Sequence, residues 1–214
     1  MSKIKYDGFE LDIFDLAKNF RKYQIDILKS SKDNDVFYDR PLTVEVWYPA
    51  KLKESEVAWE VYDEVMGNLN DPKRPLIPFK FYGRAKRNAK PLKSDKPYPL
   101  IIVSHGYTGS RLLFTYLTEN MASKGYVVVS IDHTDSTFRD ASPFNSTLLN
   151  RSLDDLFVLN EMERLSKDSD SFLFELLDAN NTGLVGYSMG GYGALNVGGA
   201  GYSPQAAQFF KGIS

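Results

Sequence analysis

Apolar positions cluster into two kinds of stretch in the second half of the chain. Residues 99–104, Pro-Leu-Ile-Ile-Val-Ser, form a continuous apolar run, the pattern of a strand buried on both faces. Residues 125–132 and 182–187 repeat it. Between these runs the spacing changes to that of a helix. It does so over residues 112–124, and over 150–165, where Leu153, Leu156, Leu159 and Met162 share one face and Ser152-Leu153-Asp154-Asp155 reads as a start signal. Residues 172–177 extend that helix after a break. Strand and helix in alternation, with apolar strands, predict a doubly wound, mostly parallel α/β sheet with helices on both faces.

The first half reads differently. Residues 9–20 place Leu11, Phe14, Leu16 and Phe20 at loosely helical spacing. Residues 23–28 alternate at period two, residues 29–35 are a polar turn, and residues 40–49 alternate again between two prolines. The two alternating stretches predict an N-terminal antiparallel hairpin at one edge of the sheet. Residues 54–69 carry Val57, Val61 and Val65 at a spacing that predicts an amphipathic helix. With the Pro-rich stretch that follows, residues 50–97 are expected to form an insertion running over the surface. That insertion is either a lid bearing Trp59, Phe79, Phe81 and Tyr82 or a solvated connection.

The chemistry gathers at Gly186-Tyr187-Ser188-Met189-Gly190. Behind it lies a predicted strand, and ahead of it a small-residue helix. A serine at so sharp a strand-to-helix turn needs small neighbours two positions away on either side, and Gly-x-Ser-x-Gly supplies them. Ser188 is therefore the candidate nucleophile. A second polar, Gly-rich turn, residues 104–111, follows the first buried strand, at the sheet end where open α/β folds bind ligands. Acyl transfer at a serine needs two N–H donors for the oxyanion. The residue after the nucleophile, Met189, offers one, and the Gly106-Tyr107 segment is placed to offer the other.

Composition narrows the field. The chain of 214 residues, 43% apolar and 25% charged, suits one globular domain spanning residues 1–214. A net charge of −2 without a basic stripe gives no reason to expect nucleic acid. The absence of cysteine excludes disulfides, thiolate metal sites and a cysteine nucleophile. The apolar runs are too short for stable membrane insertion and the start lacks a secretory pattern, so a cytoplasmic protein is expected, although a removed signal peptide would leave no trace. No Gly-x-x-x-x-Gly-Lys phosphate loop occurs.

Four stretches in one order, residues 41–50, 99–111, 131–136 and 186–194, carry a family resemblance. The series resembles the α/β-hydrolases of the plasma-type platelet-activating factor acetylhydrolase group and their dienelactone hydrolase-like relatives. The Val-Trp-Tyr-Pro strand joined to a Ser-His-Gly loop is its most specific part. The resemblance implies hydrolysis of short-acyl or phospholipid-like esters, no cofactor and no metal. It also implies Ser188 as nucleophile, the N–H groups of Met189 and Tyr107 as oxyanion donors, and a structural role for His105.

A triad is incomplete on this reading. The 26 residues after Ser188 contain no Asp, Glu or His, and the chain has two histidines, His105 and His133. His133 follows a strand that this fold does not set beside the serine strand, and Asp132 and Asp135 read as turn and loop anchors. The expectation is therefore a longer protein, or a second chain, that completes both sheet and triad. The alternative is a catalytically inactive hydrolase-like binding module, its partner a small-molecule ester.

Overall fold

The computed structural model describes residues 3–6, 9–12, 41–67, 75–141 and 144–205. The predicted elements within residues 13–40 lie outside the described residues. Two short strands, β1 (Lys3–Tyr6) and β2 (Phe9–Asp12), pair antiparallel, so residues 9–12 are strand where a helix was expected.

The central sheet holds β3 (Thr43–Trp47), β6 (Tyr98–Ser104), β7 (Val127–Asp132) and β8 (Leu177–Gly186) in the order β3-β7-β6-β8. β6 runs parallel to both β7 and β8, whereas β3 runs antiparallel to β7. The predicted α/β architecture is therefore present, with β3 as its antiparallel member. Successive residues of β6 and β7 feed opposite faces. Leu100, Ile102, Val127, Val129 and Ile131 pack with Val158 and Met162 of α2 (Phe144–Lys167) and with Leu173 and Leu176. Val103 and Val128 pack on the other side with Trp47, Leu112, Tyr62 and Ala122, the last at the end of α1 (Thr115–Ala122). Full burial of β7 on both faces is why its sequence lacks alternation. Residues 172–176 form turns and not a helical extension, and β8 begins directly after them. α3 (Met189–Val197) follows β8 and packs against α2.

The predicted helix over residues 54–69 is instead strand β4 (Glu60–Met66), paired antiparallel with β5 (Ile77–Gly83). Val61 and Val65, four apart, fit a helix face but have the parity of a strand equally well, and Val57 lies outside β4. The β-branched and aromatic content, with a matching partner in Phe79, Phe81 and Tyr82, settles the choice toward a pleat. The insertion is thus an ordered hairpin docked on the core, more than a wandering connection. Tyr62 anchors it: Trp47 Nε1–H donates to the Tyr62 hydroxyl at 3.0 Å, which donates to Glu119 of α1 at 2.8 Å. Glu119 also accepts the Arg84 N–H at 2.8 Å. Trp59 stacks on Tyr82, both more than half exposed.

Candidate active site

Parallel β6 and β8 end side by side, Ser104 level with Gly186, and their following turns meet. The Tyr187 N–H continues the ladder to the Ser104 carbonyl at 3.1 Å. The chain then reverses into α3 through Ser188, whose φ of 53° and ψ of −114° lie outside the regions favoured by side-chain-bearing residues. The space around that turn explains the two glycines. A Cβ on Gly186 would stand 2.1 Å from the Gly190 carbonyl oxygen, and one on Gly190 would stand 2.0 Å from the Ser104 carbonyl oxygen. Both obstacles are backbone and cannot swing aside.

Ser188 is exposed and sits at the N-cap of α3, yet its side chain makes no capping bond, so its Oγ is not used up by the helix. The N-terminal N–H groups of α3 nonetheless point toward this end, where they favour negative charge. Met189 is its first residue and is buried. The second turn arrives from β6: a Cβ on Gly106 would lie 3.0 Å from the Ser188 Cβ and 3.2 Å from the Tyr187 ring. The structure therefore brings the Gly106-Tyr107 segment against Ser188. Aromatic rings flank the place. Tyr107 meets Phe144 edge-on at 5.3 Å, and Phe114 meets Tyr187 at 5.5 Å. Tyr187 lies within the Gly-x-Ser-x-Gly motif, whereas Phe114 and Phe144 carry no motif and only proximity identifies them. A larger cleft of about 740 Å³ runs beside β3, walled by Trp47, Tyr48 and Phe172, and takes in none of these residues.

Neither histidine is brought to Ser188. His105 is fully buried and accepts the His133 backbone N–H on Nε2 at 3.3 Å, while its Nδ1–H donates to the Gly106 carbonyl at 2.6 Å. Burial, reinforced by His133 and Arg151, holds its pKa well below the ordinary imidazole range, so it is neutral. His133 is equally buried. Its Nδ1–H donates to Asp154 at 3.0 Å and its Nε2 accepts the Ser104 hydroxyl at 2.8 Å. Asp132 and Asp135 are anchors. Asp132 accepts the Arg111 backbone N–H at 2.5 Å and pairs with its guanidinium, and Asp135 accepts the Ser146 hydroxyl at 2.9 Å.

Sequence reasoning missed the surroundings of His133. Asp154 and Asp155 do not start a helix, because α2 begins at Phe144 and both are buried in its middle, with Arg151 one turn earlier. The legible signal was Arg151, Asp154 and Asp155 at the spacing of one helix face, in line with the core residues Val158 and Met162. Burial pushes the Asp155 carboxyl up to about 8, against the opposing pull of Arg151 and the Ser104 hydroxyl. Neither of its oxygens has a hydrogen bond of normal length, so burial wins. Among the described residues no cluster of three or more His, Asp or Glu could hold a metal ion, and no helix is long and apolar enough to cross a membrane.

Known proteins match parts of this chain. The family model described as platelet-activating factor acetylhydrolase, isoform II, matches residues 80–157, from β5 through the Tyr107 turn to mid-α2. Cutinase est1 of Thermobifida alba is 32% identical over 105 residues, which is 49% of this chain and 32% of that protein. The platelet-activating factor acetylhydrolase of Cavia porcellus is 39% identical over 59 residues, 26% of this chain and 14% of that enzyme. A solved ferulic acid esterase from Streptomyces cinnamoneus superposes with a TM-score of 0.49 at 24% identity, covering 74% of this chain and 48% of its own. The matched stretch spans about a third of the cutinases' length. Over parts of its length the chain is therefore similar in sequence to proteins described as platelet-activating factor acetylhydrolases and cutinases.

Proposed function

We propose that the protein is a serine carboxylic-ester hydrolase working through an acyl-serine intermediate. One observation carries the reading: Ser188 is held at positive φ, exposed and uncapped, between β8 and α3, with the Gly106-Tyr107 turn pressed against it. In this reading the strand–turn–helix is a nucleophile elbow. Ser188 Oγ attacks the ester carbonyl carbon and its proton passes to a general base. The N–H groups of Met189 and Tyr107 receive the oxyanion, and the alcohol leaves with a proton. Water then attacks the acyl carbon, the proton returns to Oγ and the acid departs. Both histidines of this sequence have their ring nitrogens engaged elsewhere. A histidine base would therefore come from a further segment or from a second chain. No cofactor or metal enters the scheme. The aromatic rings beside Ser188 favour an apolar acyl or aryl group, consistent with short-acyl or phospholipid-like esters.

A second reading, a silent binding module, is favoured by the same engagement of His105 and His133. Hydrolysis of p-nitrophenyl esters of increasing acyl length by the protein and by Ser188→Ala separates the two. Turnover lost in the variant supports the esterase. Ester binding by both proteins without turnover supports the module.

A further inference from the structure

Beneath the elbow lies a buried polar cluster that the proposed chemistry does not use. Ser104, His133, Arg151, Asp154 and Asp155 are each at most 3% exposed. Ser104, His133 and Asp154 even show the hydrogen-bond order of a catalytic triad, but with the hydroxyl at 0% exposure no ester could reach it. Burying such groups costs several kcal/mol that an apolar helix–sheet contact would avoid, so a purely structural reason for the cluster is weak. Its connections are informative. Ser104 supplies the carbonyl that holds Tyr187 and lies against Gly190, on the two sides of Ser188. The His133 N–H fixes His105, and His105 fixes the Gly106 carbonyl beside Tyr107. From α2, Asp155 and Arg151 press on the α3 backbone at Gly193, where an added Cβ would meet them at 2.9 and 2.5 Å.

We infer that His133, oriented by Asp154 and bonded to Ser104, is a positioning residue that holds the Tyr107 turn and the Ser188 elbow in register for oxyanion binding. This rests on reading Ser188 as the nucleophile. The imidazole ties the end of β6, at the Ser104 hydroxyl, to Asp154 of α2, and the His133 backbone N–H reaches the turn after β6 through His105. One residue thereby bears on the relative placement of the two oxyanion donors, which come from the turn after β6 and the start of α3. The groups facing it are Asp154 and Asp155 from α2 and His105 from the β6 turn, with Arg151 of α2 acting on both Asp155 and His105; the α3 residue beside Arg151 and Asp155 is Gly193, which is uncharged.

The test uses His133→Asn and the milder Ser104→Ala. A fluorophosphonate adduct at Ser188 is followed by mass, and its maximal rate and half-saturation concentration are resolved. Melting of each variant is recorded alongside, with amide chemical shifts of Gly106, Tyr107 and Met189. The expected result is a cooperatively folded Ser104→Ala whose maximal rate falls roughly 10- to 100-fold at unchanged half-saturation, with those three amides shifted. His133→Asn falls further, if it folds. Wild-type rates in a folded Ser104→Ala would overturn the inference, as would a loss confined to half-saturation. Should wild type form no adduct even with the segment or partner chain that supplies the base present, the esterase reading fails by itself. The amides then decide: unshifted signals in Ser104→Ala overturn the positioning role, and shifted ones support it.

Discussion

Replacing Gly190 with alanine tests the tightness of the elbow. The new methyl would lie 2.0 Å from the Ser104 carbonyl oxygen and 2.8 Å from that of His105, where ordinary contact begins at 3.4 Å. Set against 2.0 Å, that requires the two backbones to part by about 1.4 Å. Overpacking against movable side chains costs about 1–3 kcal/mol. Here the obstacle is a paired strand end, so the cost is about 3 kcal/mol or more. At roughly 2–4 °C per kcal/mol for a chain of this size, the melting temperature falls by about 6–12 °C. Ångström-scale displacement of a reacting group costs on the order of a hundredfold in rate, so fluorophosphonate capture by Ser188 slows by about that factor. The neighbouring glycine is the control. A Cβ on Gly191 meets only the Gly186 carbonyl, at 3.4 Å, and alanine in place of a helical glycine stabilises by roughly 0.5–1 kcal/mol. Adjacent substitutions should therefore move stability in opposite directions, read by thermal melts and capture rates. Equal melts and equal capture rates for the two would refute the packing argument.

Two further outcomes follow from buried groups. Asp155 is held near 8 in the fold against an ordinary value of 3.8. The folded state keeps its proton through a window where the unfolded chain has lost it. Stability from this group is therefore full below about pH 4 and declines by up to about 1.4 kcal/mol per pH unit until the folded value is passed. Urea midpoints at pH 5 and pH 8 should differ less in Asp155→Asn than in wild type, and an unchanged difference would contradict the assignment. Tyr62→Phe strands the Trp47 indole N–H and removes a donor from Glu119, for a loss of about 1–3 kcal/mol. It should also expose the hairpin to protease before global unfolding, and simultaneous cleavage elsewhere would show that Tyr62 is not the hairpin's anchor.

What the sequence disclosed depended on how unambiguous each pattern was. β6 and β7 were legible because burial leaves uninterrupted apolar runs, β8 only through its last residues before the elbow, and the turn at Ser188 because its glycines have no room for a Cβ. The β4–β5 hairpin was not, since a spacing of four satisfies both helix and strand until a pairing partner is known. Asp154 and Asp155 misled for a related reason. Carboxylates beside a serine resemble a helix start, and only the tertiary contacts of α2 with β6 and α3 turn them inward. The aromatic rings at Ser188 come from three separate segments, and their meeting is set by topology alone.

The central claim is that Ser188 is an activated nucleophile, and a single mapping experiment tests it most directly. The protein, together with the segment or partner chain that supplies the base, is treated with a fluorophosphonate, digested, and the modified peptide sequenced by mass spectrometry, with Ser188→Ala in parallel. The account predicts one adduct, on Ser188, absent from the variant and blocked by prior denaturation. An adduct on another residue, or none on a folded protein that binds ester, would contradict it and leave the binding module as the reading of this site.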